Sequence, residues 1–218
     1  MHCRIFNILL NDANRPSYEA LSYVWGDASV TQPILLHGKP FEVTRALWIA
    51  VQYLRLENWP RIIWVDAICI NQEDIAEREQ HVCRMAEVYK NALRGLLWMD
   101  IPSRAIQHIL PLLRRDYPED ENSAVDFALT LINEADAVTL KEYNILCTDS
   151  VWRRSWIVQE LILSPAVEVT TQNASFNVRH LQYLASSASR YLFSGIHRLP
   201  QEDRNKFNVN SNMPTCSM

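Results

Sequence analysis

Glycine is scarce in this chain, and the scarcity excludes several chemistries at once. Only four glycines occur among 218 residues, Gly26, Gly38, Gly95 and Gly195, each far from the next. Neither G-x-G-x-x-G nor a Walker loop can be built from them, because both need clustered glycines to bring backbone N–H groups against phosphate. No G-x-S-x-G stands ready for a hydrolase nucleophile. The five cysteines (Cys3, Cys69, Cys83, Cys147, Cys216) form no C-x-x-C pair, and the six histidines show no H-x-x-x-H spacing. A zinc ligand set is therefore not expected, and the thiols read as free in a reducing compartment. An excess of basic charge is missing too. Twenty-one Lys and Arg against 25 Asp and Glu leave a net charge of −4, which offers nucleic acid no electrostatic footprint. No apolar run approaches the roughly 20 residues that span a bilayer. Met1-His2-Cys3-Arg4 does not begin a secretory signal. The expectation is a cytoplasmic protein without nucleic-acid or membrane partners.

What is present suits a globular α/β module. The hydrophobic fraction is 48% and the charged fraction 21%, ordinary values for a buried core. Glu19–Trp25 is short and β-prone, and Gly26-Asp27 stops it. Ile34–Leu36 and Phe41–Val43 flank His37-Gly38-Lys39-Pro40 as a hairpin. Thr44 caps a helix whose Leu47, Ala50, Val51 and Leu54 share one face. Arg61–Ile70 is an almost continuous apolar run broken by Asp66, the pattern of a central strand covered on both faces. Asp74 and Glu77 resemble a capping box, opening a helix expected to bury Val82, Met85, Ala86 and Tyr89. Gly95–Met99 is a third buried strand. The alternation predicts a mainly parallel sheet flanked by helices. Ser103–Arg115, Val125–Ala135 and Thr139–Cys147 predict a helical insertion at about 100–150. Trp152–Leu163 predicts one further helix, Val167–Thr170 a short strand and Val178–Phe193 a closing helix. A single domain over residues 1–200 is expected, with a polar, loosely ordered tail over 201–218.

Three segments carry a resemblance. Tyr18-Glu-Ala-Leu-Ser-Tyr-Val-Trp-Gly26 comes first. Trp64-Val-Asp-Ala-Ile-Cys-Ile-Asn-Gln-Glu-Asp74 follows, trailed by Glu77-Arg78, Gln80, Met85, Tyr89 and Ala92. Trp152-Arg-Arg-Ser-Trp-Ile-Val-Gln-Glu160 is the third. Together, from about Tyr18 to Thr170, they resemble the heterokaryon-incompatibility (HET) domain of filamentous fungi: its opening A-L-S-Y-V-W-G, its W-I-D-A-x-C-I-N-Q-x-D block and its W-x-R-x-W-x-x-Q-E. The chain departs from that pattern in two places. Trp98-Met99-Asp100 stands for W-L-G, and Thr170-Thr171-Gln172 lacks a glycine. The resemblance implies an effector of fungal non-self recognition and programmed cell death. It also implies a distant likeness to TIR (Toll/interleukin-1 receptor) domains, and so a TIR-like, flavodoxin-like sheet. Trp156-x-x-x-Glu160-Leu161 is similar to the TIR pattern W-C-x-x-E-L, whose glutamate in active members cleaves NAD. NAD thus enters as a candidate substrate, with no resident cofactor. The alternative is a non-catalytic module that self-associates or acts through other signalling proteins.

The residues have readings of their own. On one continuous helix Arg153, Trp156 and Glu160 would lie at i, i+3 and i+7 on one face. A carboxylate there can stabilise the oxocarbenium-like state of a breaking nicotinamide–ribose bond, while the Arg153 guanidinium holds pyrophosphate; Trp156 belongs to the packing or forms a pocket wall. The competing reading makes Glu160 a structural ion-pair partner. Asp66, at the carboxyl edge where doubly wound sheets place ligands, contacts ribose or organises its loop, or else is a buried acid satisfied by backbone N–H groups of the Ala67–Asp74 loop. Asn71 is a turn amide or a ligand contact. Trp25 stacks on a base or belongs to the core. Trp25, Asp66, Asn71, Arg153, Trp156 and Glu160 are the candidate site, with Glu160 as the catalytic group.

Overall fold

A computed structural model describes residues 1–10 and 12–196, the last nine in backbone only; the tail expected over 201–218 lies outside the described residues. The chain packs as two units. Among the described residues, 1–115 and 135–180 form the first, and 116–134 with 181–196 form the second.

The first unit is mixed α/β. Strands β1 (His2–Cys3), β2 (Glu19–Ser22), β3 (Thr31–Leu36) and β4 (Lys39–Thr44) lead into helix α1 (Arg45–Leu54). Next come β5 (Ile63–Trp64), the one-turn α2 (Asp66–Cys69), α3 (Ile75–Asn91) and β6 (Arg94–Trp98). The main sheet runs β5-β2-β6, continues with β7 (Val167–Thr170) and ends at β8 (Ser175–Asn177). Its first three pairings are parallel and the last is antiparallel. A mainly parallel sheet flanked by helices is thus what the alternation predicted.

The expected hairpin forms, but it belongs to a separate three-stranded sheet, β1-β3-β4. His37 and Gly38 adopt φ 51° and 78°, the two left-handed positions of a type I′ turn, which matches the twist of its strands. Thr44 caps α1 by accepting from the Leu47 amide, and Leu47, Ala50 and Leu54 are buried.

Strand β2 divides its side chains by the period of two. Leu21 joins the cluster under α1 with Val43, Leu47, Leu96 and Trp98. Ala20 joins the cluster under α3 with Met85, Val88 and Tyr89. Helix α3 buries Met85, Val88 and Tyr89; Val82 and Ala86, expected inside, are exposed, because the buried arc is turned toward Val88.

Three further expectations are corrected. The Arg61–Ile70 run is not a central strand: only Ile63–Trp64 pairs as a strand, at the sheet edge. Its continuous apolar character has another cause, since the residues around this edge strand pack under α1 on one face and under α3 on the other. Ser103–Arg115 is not one helix. It is a 3-10 turn (Ser103–Ala105) and the single turn α4 (Leu110–Leu113), with Pro111 in its first turn, where a proline is tolerated and an interior one is not. Trp152–Leu163 is also broken. A 3-10 turn (Ser150–Arg153) stops at Arg154, whose φ −70°, ψ 134° are extended. In the second unit, α5 (Glu121–Glu134) buries Ala124, Val125, Ala128 and Leu131. Helix α6 (Ala137–Cys147) returns to the first unit and is capped by Asp136. After the break at Arg154, α7 (Ile157–Leu163) begins. The closing α8 (Val178–Ile196) runs on into the second unit, where the Ser187 hydroxyl donates to the Val125 carbonyl at 2.6 Å.

Helix α7 lies close against the sheet because β6 carries a glycine there. A Cβ on Gly95 would stand 2.8 Å from Ser164 Oγ, and the Ser164 hydroxyl donates to the Glu160 carbonyl at 2.7 Å.

Candidate functional site

Ser22 is the last residue of β2 and points, like Ala20, to the α3 and α7 side of the sheet. Its hydroxyl donates to Glu160 Oε2 and accepts from Arg154 Nη1. Arg154 holds the same carboxylate with both terminal nitrogens, Nη1 to Oε2 at 2.8 Å and Nη2 to Oε1 at 3.0 Å. Glu160 is only 3% exposed. A carboxylate this deep is costly unless paired and hydrogen-bonded, and the bidentate fork with a serine hydroxyl satisfies both requirements. Tyr89 of α3 is packed beside it. Burial first, and then the Glu160 charge, push its phenol well above the ordinary value. Its hydroxyl donates to the Leu21 carbonyl at 3.2 Å.

Asp66 opens α2 just beyond β5. Its Oδ2 accepts from the Trp25 indole N–H at 2.9 Å, and its Oδ1 accepts from the Ala67 amide at 2.7 Å. Burial raises its pKa above the ordinary aspartate value, with the Glu160 charge adding to the rise; the Trp25 and Ala67 hydrogen bonds and the Arg154 charge oppose it. Two acids at one edge of the sheet are therefore treated differently. Glu160 is locked to a guanidinium, and Asp66 is pushed toward its neutral form. Trp25, 38% exposed, forms the outer side of the pair.

The other candidates stand apart from this cluster. The Asn71 amide N–H donates to Glu77 Oε1 at 3.0 Å, and its Oδ1 accepts from the Glu73 amide at 3.2 Å, so it shapes the turn before α3. Arg153 is exposed at the end of the 3-10 turn. Trp156 is 42% exposed at the N-cap of α7. Arg153 and Glu160 do not share a helix, because the extended Arg154 lies between their elements. That geometry overturns the i, i+7 argument, and Arg154 takes the place next to the carboxylate that the argument gave to Arg153. The W-x-R spacing, with its arginine two places after Trp152, already marked Arg154. Ser22 carried a weaker signal, a small polar residue where a buried strand ends.

An open groove of about 830 Å³ lies elsewhere and contains none of the six candidates. It starts at Glu19 and Arg94, the first residues of β2 and β6, whereas Ser22 is the last residue of β2. Ser22 and Arg154 are absent from its walls as well, and the polar groups of the three signature segments come together at the other end of β2. Among the described residues no group of three His, Cys, Asp or Glu side chains is placed to hold a metal, and no helix is long and apolar enough to cross a membrane.

A model of the family described as heterokaryon incompatibility protein (HET) matches residues 18–160. The chain belongs to this family. The HET segment begins at Tyr18, directly before β2, and ends at Glu160 itself. The chain is also similar to heterokaryon incompatibility protein 6, OR allele, of Neurospora crassa. The two are 28% identical over 202 aligned positions, covering 75% of this chain and 29% of that relative. The chain thus matches less than a third of the relative's length. No solved structure matches it.

Proposed function

We propose that this HET domain is an effector module of fungal non-self recognition, and that the Ser22–Arg154–Glu160 cluster is its working centre, cleaving NAD at the nicotinamide–ribose bond. One observation carries the reading: the three signature segments, far apart in sequence, contribute Ser22, Asp66 and Glu160 with Arg154 to one edge of the parallel sheet, where such folds bind ligands. In the bond cleavage, nicotinamide leaves with the bonding pair as a neutral base. Positive charge develops on the ribose, and a carboxylate stabilises it before water attacks.

In the structure that carboxylate is occupied by Arg154. A substrate pyrophosphate is a rival anion for the same guanidinium. Exchange of Glu160 for pyrophosphate on Arg154 frees the carboxylate for the ribose, and the Arg154–Glu160 pair keeps the module inactive until ligand or assembly drives that exchange. Leaving a buried charge unpaired costs about 3–5 kcal/mol, which sets the scale of what binding must supply. The non-catalytic reading, a module acting through protein partners, draws on the 3% exposure of Glu160 and its full set of hydrogen bonds. Incubating the concentrated domain with NAD and measuring released nicotinamide separates the two. Release by the parent that is lost in Glu160→Gln supports the enzyme. Cell killing by a folded Glu160→Gln variant equal to that of the parent removes it.

A further inference from the structure

The α1 side of the sheet carries charge that the Glu160 cluster does not use. Glu19 and Arg94 are paired across β2 and β6. From there a chain of ion pairs runs Arg61–Glu19–Arg94–Glu168, with Arg94 Nε donating to Glu19 Oε1 at 2.7 Å and Arg61 Nη2 to the same oxygen at 3.0 Å. The chain consumes both of its carboxylates. These four residues line the groove of about 830 Å³, whose walls add Arg55 and Glu57 from the end of α1, Arg114, and the turn from β7 into β8. Arg55 and Arg114 are exposed, and no ion pair joins either to a carboxylate among the described residues; Arg114 Nε donates to the Ser175 carbonyl at 3.1 Å. Four guanidiniums thus face three carboxylates in a chain whose overall charge is −4. A smaller groove of about 470 Å³ meets the first at Arg114 and adds Arg104.

The same groove has an aromatic wall. Tyr53 is 45% exposed and stacks on Trp98, with ring centroids 5.8 Å apart and planes 24° from parallel. Trp98 is buried, and its indole N–H has no acceptor. Arginines without carboxylate partners beside a half-open tyrosine ring are the chemistry that takes a phosphate chain at one end and a planar base at the other. The volume falls within the range of small-molecule sites, about 300–1,000 Å³.

We propose that this groove is a ligand site separate from the Glu160 cluster, and that it takes a nucleoside diphosphate or triphosphate, with phosphates on Arg55 and Arg114 and the base on Tyr53. The inference is independent of the NAD reading.

Calorimetric titration of ADP and of inorganic pyrophosphate into the whole chain tests it, at low salt and again at about 150 mM. Both ligands should bind, ADP the more tightly, and both should weaken as salt screens the arginines. Arg114→Gln, a surface change, should weaken both by about tenfold or more, the scale of one charge-assisted contact. Tyr53→Leu should weaken ADP by about five- to tenfold and leave pyrophosphate unchanged, since only the base stacks. Absence of ADP binding at millimolar concentration overturns the proposal. So does ADP binding no tighter than pyrophosphate, or affinities that neither substitution alters.

Discussion

Arg154 and Glu160, six positions apart, face each other across an interruption between two helical segments rather than along one helix. The guanidinium forks onto both carboxylate oxygens at 2.8 and 3.0 Å, and the extended backbone at Arg154 makes that approach available. With the side chains only 18% and 3% exposed, this pair has the weight of a buried ion pair rather than a surface one.

Glu160→Gln is therefore expected to cost stability as well as any activity. It leaves the Arg154 charge largely buried without its counter-charge, and the loss should be about 2–4 kcal/mol in chemical denaturation. Adding Arg154→Met should recover part of the loss, because the orphaned cation goes with it. A double variant that is the simple sum of its singles shows the two residues to be uncoupled.

The neighbouring arginines should behave oppositely. Arg153→Ala removes an exposed side chain and should leave stability within about 0.5 kcal/mol. Arg154→Ala strands a buried carboxylate and should cost about 3 kcal/mol or more. Thermal melts of the two variants side by side decide it, and equal shifts contradict the assignment of Arg154 as the partner.

Glu19 makes acid stability measurable. Burial disfavours its charge, but Arg61 and Arg94 together outweigh burial and hold its pKa below the ordinary value of 4.5. A carboxylate with a depressed folded pKa stabilises the protein above its unfolded pKa, and that contribution fades as pH falls through the folded value. Stability should thus decline below about pH 4.5, and Glu19→Gln should lower the neutral plateau and flatten that acid limb. An acid limb of unchanged slope in the variant assigns the decline to other carboxylates.

Gly95→Ala probes how closely α7 lies on the sheet. The new Cβ would meet Ser164 Oγ at 2.8 Å and Ser164 Cβ at 3.3 Å, so a loss of about 1–3 kcal/mol is expected from overpacking. Ser164→Ala in the same chain should relieve part of it by removing the nearer atom. Denaturant midpoints for the three variants are the measurement.

The local elements were legible because their causes are local. The Thr44 cap, the His37-Gly38 turn and the α1 face follow from short-range chemistry that residues within a few positions supply. The Arg61–Ile70 run misled because hydrophobicity on both faces reports cover from two sides, which an edge strand between α1 and α3 receives as fully as a central one. The face of α3 slipped because Val82, Met85, Ala86 and Val88 satisfy two neighbouring arcs almost equally, and the sheet chose between them.

The sequence by itself determined the family, the alternation of strands and helices that gives a mainly parallel sheet, and which three segments carry the family signature, since these reside in residue identity and spacing. Only the tertiary structure decided that Arg154, and not Arg153, meets Glu160, and that Ser22 completes the cluster. Ser22 lies 138 positions from Glu160. Their contact arises when β2 and α7 pack on the same face of the sheet, and no short-range pattern encodes it.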